Sequence, residues 1–251
     1  MSDWTKLTRE FEYYLRPRTF PVAIKLLTSV EELRQNPWVR PLVGKTTLCQ
    51  LITKVRTYDW TVGAAAEDFA TPQCASIVGL AELPDFIKDG TMRNIVWCKT
   101  LEDAKKCEAA IPRIPPGTYK AILLAPLVYN PFEPDLILIY ANPAQMALLI
   151  NALQFDRYER LTFHSVGETS CADVIAEGFL TKKPALSIPC YGERRFGHAQ
   201  DDELAMSLPP GELERVVENL KALYQRGIRY PVSYLGAGCD PSAALMGVYG
   251  K

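Results

Sequence analysis

Two segments in the second half of the chain share one order of predicted elements, and this order constrains the fold more than any other feature. Residues 121–155 and residues 184–224 each contain an apolar strand, a loop, a second apolar strand and a helix. Short apolar runs between turn residues are typical of strands, and apolar residues at helical spacing are typical of helices. The pattern predicts an α+β fold with mixed α/β layers, in which helices flank a mixed parallel and antiparallel sheet. An internal duplication of a β-loop-β-α unit would produce this pattern.

The chain is long enough for one large domain or two small ones. It has 251 residues, of which 48% are hydrophobic, so a buried core needs no disulfide staples. We predict a single domain over residues 1–251. The proline-rich connector at residues 111–120 leaves open a division into two subdomains, 1–115 and 116–251.

Charge and hydropathy argue against several classes of partner. The formal net charge is -1, whereas a nucleic-acid-binding surface needs a basic face. No run of about 18 apolar residues is present, which argues against a membrane partner. Residues 1–15 carry charges throughout and lack the apolar core of a signal peptide, so we expect a cytoplasmic protein. The helices predicted at 146–153 and 213–224 have apolar faces that suit either a core or a homo-oligomer interface.

Three cysteines share one local pattern. A threonine stands two or three positions before each of Cys49, Cys74 and Cys171. Because threonine is a good N-cap, each cysteine is predicted to lie in the first turn of a helix. Free backbone N–H groups and the helix dipole favour an anion there, so we expect lowered thiol pKa values and thiolate ligands.

These three cysteines and a fourth are predicted to bind one metal centre. Cys190 ends a predicted strand, and strand ends can meet helix starts at one rim of an α/β structure. Four thiolates from Cys49, Cys74, Cys171 and Cys190 suit a [4Fe–4S] cluster, with structural zinc as the less favoured metal. The spacing matches neither a ferredoxin nor a zinc finger, so tertiary structure must assemble the site. Cys239, in a glycine-rich loop, is the alternative fourth ligand.

The remaining two cysteines fit a purely structural role. Cys98 lies in a predicted strand over residues 94–99, and Cys107 lies in a predicted helix over residues 101–111. Cysteine behaves as a small apolar side chain when it packs against such elements. We therefore interpret both as fillers of a strand face and a helix face.

Three polar side chains are candidates for catalysis. His198, in a polar loop, has an unperturbed pKa suited to proton transfer. Arg194 can clamp a carboxylate or phosphate, or pair instead with the acidic run at 201–203. Glu67 is a general acid or base near Cys74, or else part of a solvated loop.

Several of these segments occur together in a known family. They are the segments around Cys49 and Cys74, residues 167–171, the turn at 189–194 and the strand entry at 201–204. This pattern, which covers nearly the whole chain, resembles the domain of unknown function 169 family of bacteria and archaea. The resemblance implies a cytosolic, anaerobic setting, in which an oxygen-sensitive cluster is plausible, but it implies no activity.

Three functions remain open from the sequence. The first is an iron–sulfur protein of anaerobic metabolism, and we favour an enzyme that acts on a small anionic substrate. In that hypothesis the [4Fe–4S] cluster serves as a Lewis acid or a redox centre. The second is a metal-free protein that binds an anionic small molecule. The third is a thiol-dependent enzyme that uses Cys171 with His198.

Overall fold

A single six-stranded sheet forms the centre of the computed structural model, which describes residues 3–249. The strands are β1 Val22–Leu27, β2 Val62–Ala65, β3 Ala121–Pro126, β4 Leu136–Ala141, β5 Ala185–Ser187 and β6 Leu204–Leu208. Their order across the sheet is β2-β3-β1-β4-β6-β5. The predicted α+β class is confirmed.

Helices occupy most of the remaining chain. They are α1 Trp4–Leu15, α2 Val30–Arg34, α3 Leu48–Tyr58, α4 Pro72–Ile77, α5 Asp85–Lys88, α6 Thr91–Val96, α7 Leu101–Ala110, α8 Pro143–Gln154, α9 Glu177–Thr181, α10 Tyr191–Gly197, α11 Leu213–Gln225 and α12 Ser242–Tyr249. A π-helical turn, Ala172–Ala176, precedes α9. Within residues 3–249, no helix combines the length and apolarity needed to cross a bilayer.

The pairing of the strands differs from the expected mixture of parallel and antiparallel neighbours. All five strand pairs in the described part of the sheet are antiparallel. The expectation came from helices that separate consecutive strands. Such a crossover gives parallel neighbours only when it returns the chain to an adjacent position, and here β1 and β2 are separated by β3.

Both faces of the sheet are covered by helices, which explains why the strands read as continuous apolar runs. Ile24 and Leu138 point to a first face, where they pack with α3, α4 and the π-helical turn. Ala23 and Ile137 point to the second face, where they pack with α1, α8 and α11. Successive side chains alternate between the faces, so a strand buried on both sides has no polar alternation.

The two repeated units keep the predicted order of elements but pair differently. In the first unit, β1 lies between β3 and β4, whereas in the second β5 pairs directly with β6. Helix α10 fills the loop of the second unit, where the sequence predicted a turn at Tyr191. The sheet takes strands from both sides of residue 115, and the proposed subdomain boundary there stays a prediction.

A helical segment over residues 85–110 separates α4 from β3. The predicted strand at 94–99 is wrong, because residues up to Val96 form α6 and Cys98 follows in a turn. Ile95 is 77% exposed, so its hydrophobicity does not mark a sheet position. The predicted helix at 101–111 is confirmed as α7, which Thr100 caps through the backbone N–H of Asp103.

Candidate metal centre

The four cysteines predicted to share a site lie close enough for their charges to interact. Burial raises the pKa of the Cys171 thiol well above its ordinary value, and Cys49, Cys74 and Cys190 raise it further. Burial also raises the pKa of Cys49, with contributions from Glu193, Cys74 and Cys190. Because such charge effects act over short distances, the four thiols form one group on the first face of the sheet.

Cys49 is positioned by the start of α3. The Thr47 hydroxyl accepts the backbone N–H of Gln50 at 3.2 Å, and the Gln50 side chain accepts the N–H of Thr47 at 3.0 Å. This reciprocal pair is a capping box, and it fixes where the helix begins. Cys49 follows in the first turn and is buried.

Cys74 is positioned in the same way by α4. The Thr71 hydroxyl accepts the backbone N–H of Cys74 at 3.4 Å, and Pro72 is the first helical residue. Proline suits that place because its missing N–H would have no helical partner. Cys74 is only partly buried, in contrast to the other three.

Cys171 is positioned by a different contact from the one predicted. The helix begins at Ser170, but the preceding Thr169 hydroxyl accepts from Arg93 Nη2 at 3.2 Å instead of capping the helix. The chain then continues into the π-helical turn, a deviation that is frequent at functional sites. Cys171 is therefore in a first turn, as predicted, but a distant arginine holds that turn.

Cys190 is the residue just before α10, and a side chain from another element holds its backbone. Its N–H donates to the Ser170 hydroxyl at 3.1 Å. At the other end of α10, a Cβ on Gly197 would lie 2.8 Å from the Cβ of Cys49. Contacts at both ends of α10 thus bring Cys190 and Cys49 into the same group.

A buried carboxylate lies beside the thiols. Glu193 is 2% exposed and accepts hydrogen bonds from the Tyr140 and Ser170 hydroxyls. Burial raises the pKa of Tyr140 well above its ordinary value, and the charge of Glu193 raises it further. The guanidinium of Arg56 stacks on the Tyr140 ring at 4.0 Å and pairs with Glu203 at 2.9 Å.

Sequence reasoning missed Glu193 and Tyr140 as parts of the site. Tyr140 near the end of an apolar strand read as a core residue, and Glu193 read as part of a turn. The one available signal was the tyrosine hydroxyl, because a buried tyrosine usually finds a hydrogen-bond partner.

The expectation of lowered thiol pKa values is wrong for Cys49 and Cys171. Both pKa values are raised, first by burial and then by neighbouring negative charges. A favourable helix end is worth about 1 kcal/mol, whereas burial shifts a pKa by up to about 3–5 units. Without a cation, these two thiols are protonated at neutral pH, and thiolates at this site require positive charge from a bound group.

The spacing of the donors bears on which metal would fit. Within residues 3–249, no three His, Cys, Asp or Glu side chains are close enough to share one metal ion. Zinc bonded to sulfur at about 2.3 Å needs tetrahedral sulfurs roughly 3.8 Å apart. In a [4Fe–4S] cluster each thiolate binds a different iron, so the sulfurs stand farther apart. The donor set therefore fits a cluster better than a single ion.

The three predicted catalytic residues make contacts of their own. His198 is exposed, and its carbonyl accepts from Arg56 at 3.3 Å. Arg194 donates to the carbonyls of Pro189 and Gln200 and pairs with Asp201 at 3.3 Å, so the alternative pairing with the acidic run is observed. Glu67 is exposed and pairs with Arg34 at 3.2 Å, and these hydrogen bonds and ion pairs of the described chain involve no cysteine side chain.

The other cysteines lie apart from the group of four. Cys239 is exposed, and its sulfur would be 3.3 Å from a Cβ on Gly236 in its own loop. The Cys107 thiol donates to Glu168 at 3.1 Å. Burial and this hydrogen bond raise the pKa of Cys107 to about 12. The structure thus groups Cys190, and not Cys239, with the other three predicted ligands.

Comparisons with known proteins place this geometry in a family. Uncharacterized protein MJ0308 of Methanocaldococcus jannaschii is 26% identical over 213 residues, which cover 81% of this chain and 88% of that protein. No solved structure matches the chain. The model of the DUF169 family, described as uncharacterised ArCR, matches residues 10–219, a range that contains all four grouped cysteines but not Cys239. The chain therefore belongs to the domain of unknown function 169 family.

Proposed function

We propose that this chain is a [4Fe–4S] protein whose cluster is held by Cys49, Cys74, Cys171 and Cys190. The observation that carries the proposal is the mutual effect of these four thiols on the pKa of Cys171. They come from four separate elements, and local chain geometry alone does not bring them together. A metal centre gives a physical reason for bringing four thiols into one buried place.

The energetics of the site support a bound cationic group. Placing negative thiolates together in a buried site is unfavourable, as the raised pKa values of Cys49 and Cys171 indicate. Iron in a cluster neutralises the thiolates, and metal binding then releases their protons. The buried carboxylate of Glu193 adds to the negative charge that the bound group would balance.

The number of ligands favours a redox role over a Lewis-acid role. When bound, a cluster with one thiolate on each iron supplies one-electron transfer and leaves no iron open to substrate. The chain contributes burial on the first face of the sheet and a hydrogen bond between Ser170 and the Cys190 backbone. The small anionic substrate and the anaerobic setting stay predictions, because Arg194 is already engaged with the chain's own carbonyls and Asp201.

A thiol-dependent enzyme receives less support. A nucleophilic cysteine needs a lowered pKa or an adjacent base, and the pKa of Cys171 is raised. The partner predicted for it, His198, is an exposed residue at the far end of α10 from Cys190. A metal-free anion-binding protein is also less favoured, because the helix starts predicted to bind the anion hold thiols instead.

The proposal is tested on protein purified without oxygen and reconstituted with ferrous iron and sulfide. We expect about four iron and four sulfide per chain, visible absorption that bleaches on reduction, and an electron paramagnetic resonance signal. Cys→Ser changes at positions 49, 74, 171 and 190 should each lower the iron content, whereas Cys98→Ser and Cys239→Ser should retain it. Wild-type protein with neither iron nor colour would overturn the proposal, as would one zinc per chain in place of iron. Equal iron loss in all six variants would reject the ligand assignment.

A further inference from the structure

The turn that carries Cys171 has little structure of its own. Residues 161–169 lie outside the helices and strands, and Gly167 adopts a left-handed conformation with φ +66°. Such a segment has many accessible conformations when its own backbone hydrogen bonds are few. The position of Cys171 relative to the other thiols must therefore depend on side-chain contacts from elsewhere.

Arg93 makes those contacts from α6. Its side chain is 0% exposed, and its three nitrogens each have a separate partner. Nη2 donates to the Thr169 hydroxyl at 3.2 Å, Nη1 pairs with Glu168, and Nε pairs with Glu108 of α7. The planar guanidinium fixes the angles between these contacts, so one side chain orients the turn against the helical segment.

The surrounding charges balance in a way that isolates this contact from water. Glu108 also pairs with Arg113, so two cations and two carboxylates form a neutral buried network. The negative charge of Cys171 raises the pKa of Arg113, while burial, the larger cause, lowers it. The network thus places positive charge close to Cys171 as well as holding its turn.

We infer that Arg93 is a positioning residue that holds the 167–171 turn so that Cys171 faces the other three thiols. The helical segment 85–110 then has a definite role, since it supplies Arg93 and Glu108 to a turn about 60 or more residues later. The structural part of this inference concerns the metal-free chain. Its consequence for a cluster rests on the proposed function.

The test compares Arg93→Lys with Arg215→Lys. Lysine keeps the charge but cannot reach three partners at fixed angles. Arg215 is a matched control on the other face of the sheet, where it holds Glu212 and Asp156. In metal-free, reduced protein, alkylation by N-ethylmaleimide is followed at each cysteine by mass spectrometry. We expect the rate at Cys171 to rise roughly tenfold or more in Arg93→Lys, because losing a buried ion-pair partner opens the local structure.

The ratio of rates within one molecule separates positioning from general destabilisation. A merely structural role would raise the rates at Cys171 and Cys49 together, and this result, or no change at Cys171, would overturn the inference. Thr169→Val removes a single acceptor in case the lysine variant does not fold, with Thr8→Val as control for a buried threonine in α1. Thr169→Val should raise the Cys171 rate selectively, while Thr8→Val should not.

Iron binding provides a second readout in reconstituted protein. We expect Arg93→Lys to weaken metal affinity by roughly 10–100-fold, the usual effect of removing a group that orients a ligand. If wild-type protein binds no iron but the selective alkylation is seen, the proposed function fails and the positioning role stands. If wild type binds iron and the alkylation pattern is unchanged, the positioning role fails alone.

Discussion

The Ser170 hydroxyl accepts the backbone N–H of Cys190 at 3.1 Å. The same hydroxyl donates to the Glu193 carboxylate, which also accepts from Tyr140 on strand β4. One hydroxyl therefore connects the residue next to Cys171 with Cys190 and with the sheet. The relative position of two proposed ligands depends on this connection.

Ser170→Ala is expected to lower the free energy of unfolding by about 1–3 kcal/mol. The change leaves a buried N–H and a buried carboxylate each without a partner, and that loss has this magnitude. Urea denaturation of the metal-free protein measures it. The control is Ser207→Ala, since the buried Ser207 hydroxyl has no partner within residues 3–249 and its removal should not destabilise. Equal losses in the two variants would contradict the role assigned to Ser170.

The helix starts that carry Cys49 and Cys74 could be predicted because neighbouring residues determine them. Thr47 with Gln50, and Thr71 with Pro72, satisfy backbone donors within one turn. The information for such a start lies within a few positions of sequence. The same holds for α8, where Asn142 caps the helix.

The contacts that complete the site could not be predicted, because they join residues far apart in the chain. Arg93 reads as an ordinary polar residue until the fold brings it to Thr169, 76 positions away. Glu193 reads as a surface residue until α10 turns it toward Tyr140. The thiol pKa values failed for the same reason, since a local helix-end effect is small beside burial and neighbouring charges.

Gly197→Ala is expected to disturb the contact between α10 and α3. A Cβ at this position would lie 2.8 Å from the Cβ of Cys49 and 3.2 Å from its carbonyl oxygen, so backbone must move. Overpacking of this kind costs about 1–3 kcal/mol. Thermal unfolding should show a lower midpoint, together with weaker iron binding. Gly211→Ala is the control because a Cβ there meets no atom within 4 Å, and a similar loss in both would refute the assignment.

Arg56→Met is expected to lower the free energy of unfolding by about 3–5 kcal/mol. Arg56 and Glu203 are 3% and 4% exposed, and removing one partner leaves a buried charge unpaired. Arg34→Met breaks the exposed pair with Glu67 and should cost at most about 1 kcal/mol. Chemical denaturation at pH 7 compares the two. Comparable losses would mean that burial does not distinguish these ion pairs.

The metal-free protein is expected to lose stability in alkaline solution. The pKa values of Cys49 and Cys171 are raised in the folded chain, whereas unfolded cysteine has a pKa of about 8.5. The folded state therefore binds more protons above that pH, and the stabilisation that is complete at lower pH decreases as pH rises. Each thiol contributes a slope approaching about 1.4 kcal/mol per pH unit between its two pKa values.

Urea denaturation of reduced, metal-free protein from pH 7 to about pH 10 measures this slope, with Cys171→Ala as the comparison. Removing one raised thiol should make the decline shallower, whereas Cys239→Ala should leave it unchanged because Cys239 is exposed. Protein reconstituted with iron should show a weaker dependence, since thiolates bound to metal have no proton to lose. A decline that is identical in wild type and Cys171→Ala would show that the thiol group does not control alkaline stability.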